Sequence, residues 1–312
     1  MSKPKIVAVV GHTASGKTGL CIELAERLGG EIVCCDSMQI YREMDIGTAK
    51  PTPEELARVP HHTVDFVDPM HPYSCADYAQ DAEKAINDIL SRGRLPIICG
   101  GTGLYLDTLL FERPFDECGG RSDVRERLER EAGELGAHAL HLRLQKVDPE
   151  SAARIHENNI RRVIRALEIY ETTGKKKSEL DARISPAKYD FLAFELRRTD
   201  MNERYARIEA RVDEMLSSGL LEETKKLLEM GIFEKNPTAA QAIGYKEMLG
   251  YFRGEMPLSE ARERLCIATR QYAKRQVTWF GAKDYIETVE LRPSLPDPTE
   301  ALLRRIREWI DK

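Results

Sequence analysis

The sequence predicts an α/β fold in which helices flank a parallel sheet and a helical insertion separates two of the strands. Short β-like runs alternate with helical periods over the first hundred residues. The runs at residues 6–10 and 95–99 are almost wholly apolar, which is typical of strands buried on both faces of a parallel sheet. Residues 121–173 then carry helical periodicity without a clear strand, and a β-like run resumes at residues 191–196.

The remaining helices and strands are predicted from the same helical and strand-like patterns of apolar residues. Apolar residues at helical spacing predict a helix over residues 76–90 and another over residues 159–173, where Gly174 provides a C-terminal stop. Residues 138–147 fit either an alternating strand or a helix, and we favour the helix. Further strands are expected at residues 31–35, 63–67 and 285–290, and further helices at residues 202–217, 220–229 and 259–280.

Length and composition predict a folded protein that is long enough for one large domain or for two, and the helical insertion favours two. The chain has 312 residues, of which 42% are hydrophobic and 32% are charged. We assign residues 1–114 and 186–312 to a catalytic core and residues 115–185 to an all-helical insertion domain. Without an apolar stretch of membrane-spanning length or a signal-peptide layout, we expect a cytoplasmic protein that does not contact membranes. The seven cysteines include no C-x-x-C pair, so we expect reduced thiols rather than disulfides or a zinc site.

A phosphate-binding loop follows the first predicted strand. Residues 11–18 read GHTASGKT and satisfy the pattern G-x-x-x-x-G-K-[ST], with a strand before it and an amphipathic helix after it. Backbone N–H groups in such a loop point at one anion, the lysine neutralises phosphate oxygens and the last hydroxyl is placed to bind Mg²⁺. The core is therefore expected to resemble P-loop NTPases. The predicted phosphate ligands are Gly11, Thr13, Ala14, Ser15, Gly16, Lys17 and Thr18, with Thr18 as the metal ligand.

Two further loops should lie beside the phosphate loop, because ligands bind beyond the carboxyl ends of parallel strands. Asp36 ends the second strand and could act as a general base or, equally, cap a helix. Gly100, Gly101 and Thr102 end the fourth strand, where glycines allow close approach of a substrate to the backbone. In isolation this second loop is typical of a tight turn without a ligand.

Basic residues form local groups on a chain whose formal net charge is −5. A solvated helix face is the usual explanation for such groups, and from the residues alone we favour it. The groups are Arg161, Arg162 and Arg165; residues 175–177; Arg262 and Arg264; and Arg270, Lys274 and Arg275.

Several longer motifs together resemble the tRNA dimethylallyltransferase family, also called tRNA isopentenyltransferases. The resemblance covers almost the whole chain. His12 stands where the family usually has proline, Gly281 stands where an arginine often follows the Trp-Phe pair, and the zinc finger of eukaryotic members is absent. The motifs are GHTASGKT at residues 11–18, DSMQIYREMDIGTAKP at 36–51, HH at 61–62, GGTGLY at 100–105, RALE at 165–168, QAIGYKE at 241–247 and TRQYAKRQVTWF at 269–280.

The resemblance implies transfer of a dimethylallyl group to N6 of the adenosine just 3′ of the anticodon, with release of diphosphate. It implies that Asp36 is the base, that Thr102 orients the base or the diphosphate, and that Mg²⁺ is the cofactor. The target adenine must leave its stack to enter the protein. The partners are tRNA and dimethylallyl diphosphate, and we expect a monomer.

The resemblance also assigns ligand contacts. It places Arg275 near the diphosphate or the tRNA, and it reverses our preference for a solvated face at the arginines of the insertion. The implied tRNA-binding residues are Asp36, Ser37, Met38, Gln39, Thr102, Arg161, Arg162, Arg165, Gln241, Lys246 and Lys274.

Two alternatives remain. A nucleotide or small-molecule kinase would use the same phosphate loop, with the insertion acting as a lid that supplies arginines. A phosphate-loop regulator that binds RNA without catalysis would not need Asp36. Release of diphosphate from dimethylallyl diphosphate, compared with phosphate transfer from ATP, distinguishes these classes.

Overall fold

The computed structural model describes residues 3–111, 123–181, 186–292 and 294–312. It separates into two compact units, one of residues 1–110 with 188–312 and one of residues 111–187. The boundaries that we predicted, after residues 114 and 185, coincide with segments outside the described residues. We refer to the two parts as the core unit and the helical unit.

A six-stranded parallel sheet forms the centre of the core unit. Its spatial order is β3-β2-β4-β1-β5-β6, so that β1 lies between β4 and β5. The predicted α/β fold with a P-loop-like parallel sheet is thereby confirmed. The strands are β1 (Lys5–Gly11), β2 (Gly30–Cys35), β3 (His61–His62), β4 (Leu95–Gly100), β5 (Asp190–Arg198) and β6 (Glu287–Leu291).

Helices flank this sheet, and every regular element described within the helical unit is a helix. Those of the core unit include α12 and α14, which our sequence analysis did not identify. The helices are α1 (Lys17–Leu28), α2 (Pro53–Arg58), α3 (Cys75–Ser91), α4 (Gly103–Leu110), α5 (Asp123–Val147), α6 (Pro149–Arg154), α7 (Ile160–Thr173), α8 (Lys177–Asp181), α9 (Met201–Ser217), α10 (Leu220–Glu229), α11 (Ile232–Lys235), α12 (Tyr245–Phe252), α13 (Leu258–Gly281) and α14 (Thr299–Ile310).

The predicted strand at residues 63–67 is wrong. The ladder on β2 stops at His62, and only Val67 makes an isolated bridge, to Tyr41. Thr63 and Asp65 have φ values of 56° and 54°, in the left-handed region that a β-strand cannot accommodate. The β-branched and aromatic residues of this segment suggested a strand, but its backbone turns away to support the loop after β2.

In the helical unit, α5 and α7 bury a shared apolar face. Leu140 and Leu144 of α5 pack with Val163 and Leu167 of α7, which confirms helix rather than strand for residues 138–147. Gly136, with φ 84° and ψ 164°, interrupts the helical backbone of α5. None of the described helices combines the length and apolar character that a membrane span requires.

Candidate functional site

The phosphate loop connects β1 to α1 and has the backbone shape that its sequence predicts. Ala14 and Gly16 adopt left-handed φ values of 63° and 94°, and α1 begins at Lys17. The Ser15 hydroxyl is buried and has no hydrogen-bond partner. Burying a hydroxyl without a hydrogen-bond partner costs free energy. The location of the Ser15 hydroxyl in the phosphate loop therefore indicates that an oxygen-rich ligand binds beside it.

One cavity in the core unit brings the loops together at the carboxyl ends of the strands. Thr13, Lys17 and Thr18 come from the phosphate loop and α1, and Gly100 comes from the end of β4. The loop after β2 contributes Asp36, Ser37, Met38, Gln39, Gly47, Thr48 and Ala49. The remaining lining residues are Cys99 of β4; Ile208, Arg211, Val212 and Met215 of α9; Gln241, Ala242 and Ile243; and Leu265, Thr269 and Tyr272 of α13.

Charges of both signs are desolvated in this cavity. Burial lowers the pKa of Lys17, while nearby Cys99 and Asp36 oppose that shift. Burial likewise lowers the pKa of Arg211, and the charge of Asp36 opposes that shift. The Arg211 Nε is buried without a hydrogen-bond partner. Two desolvated cations around one carboxylate leave an excess of positive charge, which an anionic ligand would neutralise.

Asp36 lies in a turn and does not cap a helix. Its Oδ1 accepts a hydrogen bond from the Met38 N–H at 2.9 Å, and residues 37–40 form turns. The capping alternative is therefore excluded, because no helix starts there.

Thr102 supports this turn from the end of β4. Its Oγ1 accepts from the Ser37 N–H at 3.0 Å and donates to the Ser37 hydroxyl at 3.3 Å. Burial raises the pKa of the Tyr272 phenol of α13, which also lines the cavity. Thr102 therefore supports the Asp36 turn through Ser37, although it is not among the residues that line the cavity.

The amide of Gln39 is engaged within the protein. Its Nε2 donates to the carbonyls of Thr48 and Ala49 at 3.1 and 2.8 Å, and the Cys34 thiol donates to its Oε1 at 3.2 Å. The amide therefore fixes the cavity wall in this structure, whereas the resemblance implies that Gln39 contacts tRNA.

Glu223 of α10 fixes another segment of the cavity wall, the backbone of residues 45–47. Its carboxylate accepts from the backbone N–H groups of Asp45, Ile46 and Gly47 at 2.9 to 3.0 Å. It also accepts from the Tyr245 hydroxyl at 2.7 Å. A Cβ at Gly47 would meet the Tyr245 ring at 2.5 Å, so this position requires glycine.

Gln276 of α13 connects the phosphate loop to the loop after β4. It is buried, its Oε1 accepts from the Thr13 N–H at 2.9 Å, and its Nε2 donates to the Gly101 carbonyl at 2.9 Å. A Cβ at Gly101 would lie 2.2 Å from this Nε2. Sequence reasoning quoted the surrounding motif but did not single out Gln276.

Several predicted ligand residues lie outside the cavity lining. Arg275 is exposed and its guanidinium stands 5.6 Å from the centre of the Tyr272 ring. Lys274 is exposed, and Lys246 pairs with Glu247 at 3.6 Å. Gln241 does line the cavity.

In the helical unit, two of the three predicted arginines are open to solvent. Arg161 and Arg162 are exposed on the first turn of α7. Arg165 is partly buried and pairs with Glu168 at 2.7 Å.

Arg211 and the apolar wall are two further features that sequence reasoning missed. Arg211 belongs to no quoted motif. It does interrupt an apolar stripe formed by Ile208, Val212 and Met215 at helical spacing, and a charge in such a stripe is the signal that could have found it.

Comparisons with known proteins point to one family. A family model described as IPP transferase matches residues 39–283, and one described as isopentenyl transferase matches residues 4–64. A tRNA dimethylallyltransferase of Geobacillus thermodenitrificans is 49% identical over 288 residues, which cover 92% of this chain and 90% of that protein. The chain belongs to the tRNA dimethylallyltransferase family. It is therefore classed as a prenyltransferase, and the kinase alternative is not favoured.

One further relative and two solved structures match over nearly all of this chain and support the same assignment. A tRNA dimethylallyltransferase of a Roseiflexus species is 46% identical over 306 residues, covering 98% of this chain and 99% of that protein. The crystal structure of a Bacillus halodurans tRNA isopentenylpyrophosphate transferase matches with a TM-score of 0.71 and 42% identity, covering 99% of this chain and 96% of that one. A eukaryotic dimethylallyltransferase described as acting on tRNA matches with a TM-score of 0.84 and 33% identity, covering 99% of this chain and 80% of that one.

Proposed function

We propose that the protein transfers a dimethylallyl group from dimethylallyl diphosphate to N6 of the adenosine on the 3′ side of the tRNA anticodon. The observation that carries this proposal is a single cavity with two parts. The desolvated cations Lys17 and Arg211 suit a diphosphate, and the apolar residues Ile208, Val212 and Leu265 suit a short hydrocarbon chain. A kinase site would need room for a nucleoside instead of that apolar wall.

In the proposed reaction, N6 forms a bond to the first carbon of the dimethylallyl group as the bond from that carbon to the diphosphate oxygen breaks. The proton lost from N6 passes to Asp36, the carboxylate beside the phosphate loop in this cavity. The hydrogen bond from Met38, together with the support of Ser37 by Thr102, holds this turn in place. The adenine must be unstacked to reach the cavity.

The leaving diphosphate would be held by the phosphate loop and by Arg211. Lys17 and the backbone N–H groups at the start of α1 supply positive charge and donors, and the Ser15 hydroxyl would gain the partner that it lacks.

Mg²⁺ is the divalent ion that we propose for this site. The described residues contain no cluster of three or more acidic, histidine or cysteine side chains that could hold a metal. Mg²⁺ carried on diphosphate oxygens and water needs only one or two protein oxygens, and Thr18 and Asp36 both line the cavity. These residues fit the ion, which supplies charge neutralisation for the leaving group when bound.

We further propose that tRNA contacts Gln241 at the cavity and cations on both units, including Lys246, Lys274 and the arginines of α7. Arg161 and Arg162 occupy the first turn of α7, where no acidic residue stands. Cations are unfavourable next to the positive end of a helix dipole, so their position does not serve the stability of α7. Arg275 remains a proposed ligand of diphosphate or tRNA, and we propose a monomeric enzyme.

Asp36→Asn tests the proposed base. The variant keeps the hydrogen bond to Met38 but cannot accept the proton, so turnover should fall about 10²–10⁴-fold. Prenylated adenosine in tRNA is measured by mass spectrometry and diphosphate release by a coupled assay, with ATP offered separately.

Asp68→Asn is the matched control. Asp68 accepts from the Met70 N–H at 2.8 Å in the same type of turn but does not line the cavity, so this variant should keep wild-type turnover. Wild-type turnover in Asp36→Asn excludes Asp36 as the base. Phosphate transfer from ATP without prenyl transfer would favour the kinase instead.

A further inference from the structure

The amide of Gln276 lies between the phosphate loop and the loop after β4. The side chain is buried, with 4% of its residue surface exposed. Its Oε1 accepts hydrogen bonds from the Thr13 N–H at 2.9 Å and from the Thr13 hydroxyl at 3.4 Å. Its Nε2 donates to the Gly101 carbonyl at 2.9 Å. One side chain of α13 therefore fixes the separation of these two loops.

The loop after β4 in turn holds both residues that flank Asp36. The N–H groups of Gly101 and Thr102 each donate to the Cys35 carbonyl at 3.1 Å. The Thr102 Oγ1 accepts from the Ser37 N–H at 3.0 Å. Asp36 is therefore tethered on each side to the same loop that the α13 amide binds.

The fit of this amide against the loop is close. A Cβ added at Gly101 would lie 2.2 Å from the Gln276 Nε2. The backbone of Gly101 is not among those with a left-handed φ, so the amide, and not backbone conformation, excludes a side chain there. An amide also gives an acceptor to one loop and a donor to the other without adding charge beside an anion site.

We propose that Gln276 is a positioning residue that sets the distance between the diphosphate in the phosphate loop and the carboxylate of Asp36. This inference rests on the proposed function, since it concerns the leaving group and the base of that reaction. Gln276 is not among the residues that line the cavity. It therefore acts through the two loops and not by contact with a substrate.

Loss of this link should slow the transfer more than it weakens binding. In the proposed reaction the diphosphate is held mainly by Lys17, Arg211 and the N–H groups at the start of α1. Without the link, the position of Asp36 relative to the reacting atoms changes. A displacement of about 1 Å at reacting groups can cost on the order of 100-fold in rate.

Gln276→Met tests the link, because methionine keeps the length of the side chain and loses both hydrogen bonds. The rate constant of a single turnover with saturating tRNA and dimethylallyl diphosphate should fall about 10–100-fold. Calorimetric affinity for inorganic diphosphate with Mg²⁺ should change little. This rate constant does not depend on the fraction of folded enzyme, so a variant that is merely less stable would keep it. Gln80→Met, at an exposed glutamine of α3, is the control and should match the wild type.

Gly101→Ala breaks the same link from the other loop, and it decides the question if Gln276→Met does not fold. The added methyl group would displace the Gln276 amide, so the rate constant should fall to a similar extent. Gln276→Ala leaves room for that methyl group. The combined variant Gly101→Ala with Gln276→Ala should therefore be no slower than Gln276→Ala alone, because both changes remove one interaction.

Hydrogen exchange provides a readout that needs no activity. The amides of residues 35–39 should exchange faster in Gln276→Met than in the wild type, and at the wild-type rate in Gln80→Met. Wild-type exchange of these amides in Gln276→Met, a wild-type rate of transfer, or losses that add in the combined variant would overturn the proposal. Equal losses of rate and of diphosphate affinity would also overturn it, since Gln276 would then belong to the anion site. If the wild type itself transferred no dimethylallyl group, the proposed function would fail, whereas the exchange result would still decide whether Gln276 links the loops.

Discussion

At the scale of single residues, Arg211 is the least expected member of the site. Its guanidinium is desolvated beside Asp36, and its Nε has no hydrogen-bond partner. A buried cation without full compensation is costly in the free protein, and it is compensated when an anion binds. In the proposed reaction, Arg211 would therefore contribute both to binding of the diphosphate and to its departure as the leaving group.

Replacing Arg211 by alanine should lower kcat/KM for dimethylallyl diphosphate on the order of 100-fold, because a preorganised donor to the leaving group is lost. Arg211→Lys should recover part of the activity, since it restores charge without the planar guanidinium. Steady-state kinetics at saturating tRNA measures the effect. Arg264→Ala, on an exposed part of α13, is the control, and equal losses in both variants would contradict a specific role.

His12 is another residue with a measurable signature, because it is buried as a neutral imidazole. Its Nδ1 donates to the Thr13 carbonyl at 2.8 Å and its Nε2 accepts from the Arg198 N–H at 3.3 Å. Burial, together with the charges of Arg204 and Lys17, lowers its pKa from 6.5 to about 4. Both ring nitrogens therefore have a partner only in the neutral form.

This pKa shift predicts acid sensitivity with a defined sign. The unfolded chain binds a proton below pH 6.5 and the folded protein does not until about pH 4, so stability is complete above pH 6.5 and is lost between these values. The loss reaches at most about 3 kcal/mol at the acid end. Urea unfolding across this range measures it. In His12→Asn, which can still donate to Thr13, the free energy of unfolding should fall less steeply with acid, and identical slopes would contradict the assignment.

At the scale of elements, the structure shows which features the sequence could predict. Strands β1, β2, β4 and β5 were predicted within two residues at each end, because their apolar runs are bounded by glycines, charges or turns. The segment 63–67 was mistaken for a strand because its left-handed residues have no marker such as glycine. The contacts of Glu223 and Gln276 could not be predicted, since they join elements far apart in the chain.

Glu223 offers a test of how α10 supports the cavity. Glu223→Gln would place an N–H donor against backbone N–H groups that need acceptors, so the loop of residues 45–49 should loosen. We expect a loss of stability on the order of 2 kcal/mol. We also expect KM for the substrates to rise more than kcat falls, because the loop lines the cavity without supplying the base. Glu222→Gln on the exposed face of α10 is the control, and a change in kcat alone would argue against support of the wall.

At the scale of the whole molecule, an acidic protein must hold a polyanion. The net charge is −5, so binding of tRNA cannot rest on overall attraction and must use local groups of cations. Many basic side chains of the described residues are already paired, including Arg262 with Asp213 and Arg264 with Glu260. These pairs favour a solvated, structural role for those two arginines. Arg161 and Arg162 differ from them, because they are exposed on a helix turn that itself contains no acidic residue.

Arg162→Ala should therefore weaken tRNA binding and reduce the slope of log Kd against log salt by about one, as expected for each lost phosphate contact. Affinity for dimethylallyl diphosphate should not change, because its proposed ligands belong to the core unit. The matched control is Arg304→Ala, an exposed arginine of α14 whose loss should leave the slope unaltered. Titrations of tRNA at several salt concentrations distinguish the outcomes. Equal slopes and affinities in the wild type and in Arg162→Ala would show that this part of α7 is only a solvated face, and the tRNA would then depend on cations of the core unit such as Lys274 and Arg275.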